Sequence, residues 1–353
     1  PINRKCNAKM EIDHKIYRIE LKHTFGISRS KNDWYDVALI YIKDGPIVGI
    51  GEAAPSVRYN ETTERIISVL RKAIELPDDL SDRENIWKVI CPQLKGLKSL
   101  EAAFSMALWD WWGQKLEKPI YRLLNIKSGR MPLTSYTISI GELDEIGPKL
   151  EESEPYSILK VKLGTPAMDK EIIKEIRRHT GKLIRVDANE GWEEHRALEM
   201  SNWLADKNIE FIEQPFPAKD LRASFELKRK SPLDIYADEN SLVSSDIKHI
   251  SHAFHGINIK LMKCGSLEEG KRMINIARSN GLKIMLGCMV ETSVGITAAA
   301  HLAGEVDVAD LDGNLLIKND PYSGVKVVNG RLVLPKLNGS GLELNPGFEK
   351  LAL

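Results

Sequence analysis

The segment Ile158-Leu-Lys-Val-Lys-Leu-Gly164 decides the fold. It is a short apolar run carrying Lys160 and Lys162 at positions i and i+2, which a β-strand turns to one face. Charged residues recur in or just after four later apolar runs: Asp187 after Leu183-Ile-Arg-Val, Glu213 after Ile209-Glu-Phe-Ile, Asp238 after Asp234-Ile-Tyr-Ala, and Lys260 in Gly256-Ile-Asn-Ile-Lys-Leu-Met. The interval is about 25 residues, enough for one strand, one helix and their loops. Helical patterns fill the gaps, as in Ala167-Met-Asp-Lys-Glu-Ile-Ile-Lys-Glu-Ile-Arg-Arg, where Ile172, Ile173 and Ile176 share a face. Such alternation means parallel strands joined by crossover helices.

Working outward, eight candidate strands occupy residues 134–141, 158–164, 183–189, 209–215, 235–239, 256–262, 283–289 and 308–313. A doubly wound open sheet has the same alternation. The count of eight, with charged residues spread over many strand ends, favours a closed barrel. The expected fold is α/β, a modified TIM barrel of (β/α)7β type over residues 129–320, with an α+β capping domain over 1–128 to which the tail, 321–353, returns. In the cap, Tyr17-Arg-Ile-Glu-Leu and the stretch from Val37 to Glu52 read as antiparallel strands, the latter turning at Asp44-Gly45-Pro46. The segment from Ser99 to Gly113 reads as a helix with a polar Ser start and Glu101 in its first turn. In the tail, Val325-Lys-Val-Val-Asn-Gly-Arg-Leu-Val-Leu is a hairpin turning at Asn329-Gly330, and it is expected to lie against the cap.

Composition narrows the function. The 353 residues are 42% hydrophobic and 28% charged, with 50 basic and 50 acidic side chains, so no overall field favours nucleic acid or an anionic membrane. The four cysteines, Cys6, Cys91, Cys264 and Cys288, form no CxxC pair or disulfide framework. No signal-peptide-like or membrane-spanning apolar stretch occurs, and a cytoplasmic location is expected.

Asp187, Glu213 and Asp238 come from three consecutive strand ends and offer hard oxygen ligands without sulfur or imidazole, which suits Mg²⁺ or Mn²⁺ with positions left open for substrate. Lys160 and Lys162 approach from one side and Lys260 from the other. A metal between lysines addresses the removal of a proton next to a carboxylate, because cationic groups stabilise the enolate charge as it develops. A lysine base must first be neutral. Lowering its pKa from about 10.4 to about 7.5 is on the order of 4 kcal/mol, within reach of a divalent ion and a second lysine in a dry site.

The ordered set Lys160-Val-Lys162, Asp187-Ala-Asn189, Glu213-Gln-Pro215, Ala237-Asp238-Glu239 and Ile259-Lys260-Leu-Met-Lys-Cys-Gly265 resembles the enolase superfamily in its muconate-lactonizing subgroup. Trp109-Asp110 and Lys118-Pro-Ile-Tyr-Arg-Leu-Leu124 extend the resemblance over nearly the whole chain. The resemblance implies one Mg²⁺ on Asp187, Glu213 and Asp238, acid/base catalysis by Lys162 and Lys260 on opposite faces, and enolate stabilisation by Lys160, with Lys263 less suited to catalysis. Asp310-Leu-Asp312 resembles the motif with which dipeptide epimerases hold a substrate ammonium. Arg29 falls where Ala-Glu epimerases place an arginine for the glutamate carboxylate, with Lys31 and His23 as alternatives. The implied reaction is L-Ala-D/L-Glu epimerisation in murein peptide metabolism, by a homo-oligomer acting on a small dipeptide.

Each residue also has a plainer reading. Arg29 can pair with Asp33 or Asp36, Asp310 and Asp312 can form a salt bridge or helix cap, and Glu291 can line the site or make a structural pair. Trp109, Trp111 and Trp112 read as core, and His14, His179, His195, His249, His252 and His255 as surface or structural. Other dipeptide classes, o-succinylbenzoate synthesis, N-acylamino acid racemisation and muconate cycloisomerisation are the alternative reactions; Asp310-Leu-Asp312 argues against the last three, which offer no free ammonium. A catalytically silent metal-binding scaffold is the alternative outside enzymes.

Overall fold

The computed structural model describes residues 10–77 and 82–351, so Cys6 and the N-terminal stretch read above lie outside the described residues. Strands β1 (Glu11–Ile27), β2 (Ser30–Asp44) and β3 (Ile47–Ala53) form an antiparallel sheet in that order. Gly45 makes the β2–β3 turn at φ +59. Both first strands are longer than expected: the stretch from His23 to Trp34, taken for a loop, continues them to a tip at Ser28-Arg29. The register shifts between Glu20 and Phe25, and beyond that irregularity the hairpin leaves its own sheet and reaches the barrel. Its polar tip therefore lacks the alternation of a strand packed on a core.

Helices α1 (Thr63–Leu70), α2 (Arg83–Ile90), α3 (Lys98–Lys115) and the short α4 (Ile120–Leu123) complete the cap. Helix α3 is buried all round, Trp109, Trp111 and Trp112 included, because β3 covers one side and the barrel the other. Gly51 permits this approach, since a Cβ there would stand 1.9 Å from the carbonyl oxygen of Ala103. The expected Ser99 cap is replaced by a distant one. Leu97 precedes the helix without a capping side chain, and Glu61 accepts from the amides of Lys98 and Ser99 and from the Ser99 hydroxyl.

The barrel runs β4 (Tyr136–Ile138), α5 (Ile146–Glu152), β5 (Ile158–Lys162), α6 (Asp169–His179), β6 (Leu183–Asp187), α7 (Glu194–Leu204), β7 (Ile209–Glu213), α8 (Leu221–Lys230), β8 (Asp234–Ala237), α9 (Ser244–Ile250), β9 (Gly256–Ile259), α10 (Leu261–Cys264), α11 (Leu267–Ser279), β10 (Lys283–Gly287), α12 (Ser293–Ala300) and β11 (Val308–Asp310). The eight strands lie in sequence order, and a parallel bridge from Thr134 to Ala309 joins the last to the first. All eight expected strands are present, each shorter than its sequence span.

The tail divides. Its hairpin turns through Asn329 (φ 52) and Gly330 (φ 74), but lies under the barrel rather than on the cap, with the Gly330 carbonyl accepting from the Thr134 amide at 2.8 Å. Residues beyond it do reach the cap: the Ser340 amide donates to Asp110 on α3 at 2.7 Å, and Phe348 meets the Tyr17 ring edge-on. Among the described residues no disulfide forms and no helix is long and apolar enough to cross a membrane.

Candidate active site

Inside the barrel, alternation builds two layers. Phe211 and Tyr236 stack with ring centroids 4.0 Å apart and join Met285 and Val308 in a buried apolar floor. A Cβ on Gly256 would sit 2.6 Å from the Tyr236 ring, so only glycine leaves room for it there. Two residues further along their strands stand Glu213, Asp238 and Asp310, on the same inward face and nearer the C-terminal mouth. Register sets neighbours side by side, with Lys162 opposite Asp187 and Asp187 opposite Glu213.

Asp187, Glu213 and Asp238 are fully buried, and each turns one oxygen to a common point, the three lying within 4.8 Å of one another. Lys160 Nζ is 2.7 Å from Glu213 Oε2, 2.7 Å from Asp310 Oδ2 and 3.3 Å from Asp187 Oδ2. Lys162 Nζ donates to Asp187 Oδ2 at 2.7 Å, and Lys260 Nζ to Asp238 Oδ2 at 2.8 Å, so the two lysines reach opposite ends of the triad. Glu213 Oε1 accepts from Asn258 at 2.6 Å; its Oε2 meets Lys160 as an ion pair but receives no hydrogen bond of good direction. An all-oxygen donor set with such an under-satisfied atom fits a hard divalent cation.

Burial alone would raise Asp187 and Asp238, yet the lysines hold both well below the ordinary carboxylate range. Glu213 is pushed up by burial and by the Asp187 charge. Burial also works against the ammonium of Lys160, but Asp310, Glu213 and Asp187 raise it well above the usual lysine value, and Asp238 does the same for Lys260. Lys263 differs. Its Nζ is fully enclosed, donating to Asp238 Oδ1, the Asp238 carbonyl and the Asn258 carbonyl at 2.5, 2.6 and 2.9 Å, and burial lowers its pKa. It buttresses Asp238 from behind.

A cavity of about 590 Å³ opens above the triad, lined by Lys162, Lys260, Asp238, Asp310 and Asp312 below and by cap residues including Arg29 above. Lys160 does not line it. Asp310 accepts from Lys160 and, at 2.6 Å, from Ser135; Asp312 accepts from the Thr137 amide at 2.6 Å, and burial and the Asp310 charge push it up to about 7. Arg29 pairs with neither Asp33 nor Asp36. It donates to Glu239 at 3.0 Å and to the Asn189 carbonyl at 3.1 Å, with Glu190 at 3.6 Å. Glu239 itself is pushed up to about 8 by burial and the Asp238 and Asp187 charges, against the pull of Arg29. His23 bonds Glu152 at 2.6 Å, and neither it nor Lys31 lines the cavity.

Sequence reasoning passed over Asn258, Ser135, Glu190 and Arg58. Asn258 carried a usable signal, since it precedes Lys260 by two in the same apolar run, as Lys160 precedes Lys162. Ser135 and Arg58 did not, because their partners lie far away in the chain.

Fold and site together define a capped parallel barrel that places an acidic triad between lysines at its mouth. The chain belongs to the enolase superfamily: residues 148–348 match the "Enolase C-terminal domain-like" family and residues 14–125 the "Mandelate racemase / muconate lactonizing enzyme, N-terminal domain" family. It is 37% identical to an L-Ala-D/L-amino acid epimerase of Flavobacterium johnsoniae, over 95% of this chain and 100% of that protein. It is also 37% identical to an L-Ala-D/L-Glu epimerase of Bacteroides thetaiotaomicron, over 95% of this chain and 88% of that protein. The crystal structure of a dipeptide epimerase from Enterococcus faecalis V583, complexed with Mg and the dipeptide L-Leu-L-Tyr, matches with a TM-score of 0.87 at 29% identity, covering 94% of this chain and 99% of that one.

Proposed function

We propose that this chain is a Mg²⁺-dependent dipeptide epimerase, an isomerase that inverts the α-carbon of the C-terminal residue by two-base 1,1-proton transfer. The observation that carries the reading is the position of Lys162 and Lys260 at opposite ends of the triad, both facing one cavity. Asp187, Glu213 and Asp238 would hold Mg²⁺, which when bound supplies positive charge to the substrate carboxylate and so acidifies the α-proton. Lys162 takes or returns that proton on one face and Lys260 on the other. Each must give up its carboxylate partner to become a neutral base, and a cation engaging Asp187 and Asp238 acts in that direction.

Lys160, behind the triad, contributes fixed positive charge where negative charge develops. Asp310 and Asp312 stand at the cavity edge, suited to a free α-ammonium; this favours a dipeptide over N-acylated or enol-lactone substrates. The presence of both lysines speaks against a silent scaffold. L-Ala-D/L-Glu is the particular reaction to which Arg29 points from the sequence, L-Ala-X is the class that the names of the similar epimerases suggest, and X turns on what Arg29 is free to do.

The test is α-deuterium incorporation in D₂O with Mg²⁺, followed by NMR over a panel of L-Ala-X dipeptides. The reading expects exchange with inversion for at least one dipeptide; no exchange with any of them would refute it.

A further inference from the structure

The roof of the cavity separates into a clasped part and an open part. In the clasp, Arg58 donates twice to Glu190, Nε to Oε2 and Nη2 to Oε1, both at 2.7 Å, and Glu190 Oε1 also accepts from the Ala218 amide at 2.8 Å. Arg29 spends one terminal nitrogen on Glu239 and the other on the Asn189 carbonyl. Both arginines thus bind the cap to loops that follow barrel strands β6 and β8. Both guanidinium groups are thus already engaged, and either would have to break a contact between cap and barrel to turn to a ligand. Of the other roof carboxylates, Asp36 is paired with Arg18 at 2.8 Å and Glu61 with the start of α3, while Glu64 also lines the cavity.

The open part sets large apolar and aromatic side chains among smaller polar ones such as Ser30, Asn32 and Ser56. Val57 is 81% exposed and Trp34 48% exposed, and Phe25, Tyr35 and Tyr59 line the cavity with them. One face of Trp34 is covered by Arg18, whose guanidinium carbon lies 3.7 Å from the ring centroid, which leaves other ring surface to the cavity. Exposed apolar surface at a concave site next to the proton-transfer lysines is surface that a ligand covers. A carboxylate entering here would lose water and meet, among the described residues of the roof, only arginines already engaged by Glu190, Glu239 and the Asn189 carbonyl.

We propose that this roof receives the side chain of the residue being epimerised and that the preferred side chain is uncharged and apolar, aromatic or branched aliphatic, with Arg29 a positioning residue that clasps cap to barrel. The proposal rests on the dipeptide-epimerase reading and specifies X within it.

The test compares L-Ala-L-Phe, L-Ala-L-Leu, L-Ala-L-Glu and L-Ala-L-Lys with the full chain and Mg²⁺, reading kcat/KM for α-deuterium incorporation. L-Ala-L-Phe or L-Ala-L-Leu is expected to exceed L-Ala-L-Glu by about tenfold or more, the scale on which a pocket rejects a group it cannot pair. Preference for L-Ala-L-Glu or L-Ala-L-Lys would overturn the proposal and leave the epimerase reading standing; exchange with none of the four would remove both. Arg29→Met separates the two roles of the arginine. As a clasp its loss lowers all active dipeptides by a similar factor, whereas a selective loss of L-Ala-L-Glu of about tenfold or more would assign Arg29 to the substrate carboxylate and overturn the proposal. Trp34→Ala is expected to raise KM for L-Ala-L-Phe about fivefold or more with kcat little changed, and an unchanged KM would equally count against it.

Discussion

Two clusters of buried carboxylates differ in the groups that surround them. At the barrel mouth, Asp187, Glu213 and Asp238 are ringed by Lys160, Lys162, Lys260 and Lys263, and the lysines hold Asp187 and Asp238 firmly ionised. At the seam between cap and barrel, Glu52 on β3 and Glu291 after β10 are as deeply buried, and both lie within 3.3 Å of where a Cβ on Gly295 would stand. Neither makes an ion pair among the described residues. Glu52 accepts from the Thr292 hydroxyl and the Thr292 and Gly295 amides at the start of α12, and Glu291 from the Met289 amide. Burial pushes Glu52 up to about 7; burial and the neighbouring Glu52 push Glu291 up to about 8. Burial is common to both clusters, and the partners decide. Ammonium groups hold Asp187 and Asp238 of the first cluster charged beside a cavity; in the second, burial without a cation outweighs the opposing pull of the amides and the hydroxyl, and the carboxyls are pushed up.

Exchanging features between the clusters breaks the comparison most strongly at the lysines. Lys162→Ala and Lys260→Ala are each expected to lower epimerisation by about 10³-fold or more, the scale of a positioned acid or base, measured as kcat. Asp238→Asn is expected to abolish the rise in Tm that Mg²⁺ gives, whereas Glu52→Gln, on the other cluster, should keep it; a scan with and without Mg²⁺ or EDTA reads both. Asp312→Asn is expected to raise KM about tenfold or more for a free dipeptide and far less for its N-acetylated form, and equal effects would dismiss an ammonium site. The smallest effect is on pH. Because Glu52 and Glu291 hold protons in the fold that the unfolded chain releases near its ordinary value of 4.5, their contribution to stability falls as pH rises from there towards about 8. Glu291→Gln is expected to narrow the Tm difference between about pH 6 and about pH 8.5, and an unaltered difference would show that the pair does not share protons this way.

The triad and its lysines were legible because each lies in or just after a short apolar run that recurs about every 25 residues, and for Glu213, Asp238 and Asp310 alternation also places an apolar residue, Phe211, Tyr236 and Val308, two positions before. The same rule overran the strand ends. Asn189, Glu190 and Gln214 follow the ligand strands at φ +43, +65 and +38, where the chain leaves the ladder to turn its side chains across the mouth. The clasp, the Glu61 cap of α3 and the Glu52–Glu291 joint escaped because each joins residues distant in sequence, and no local period records such a pairing. Arg29 shows both sides of this. Its place over the site was readable, but its partners on the barrel loops were not.

In the proposed reaction two lysines serve two faces of one carbon. Its most direct test is α-deuterium exchange in D₂O by Lys162→Ala and Lys260→Ala, starting separately from each epimer of an active dipeptide. Each variant is expected to fail to invert, one retaining exchange only with the first epimer and the other only with the second. Exchange of both epimers by a single variant, or inversion that survives loss of either lysine, would contradict it.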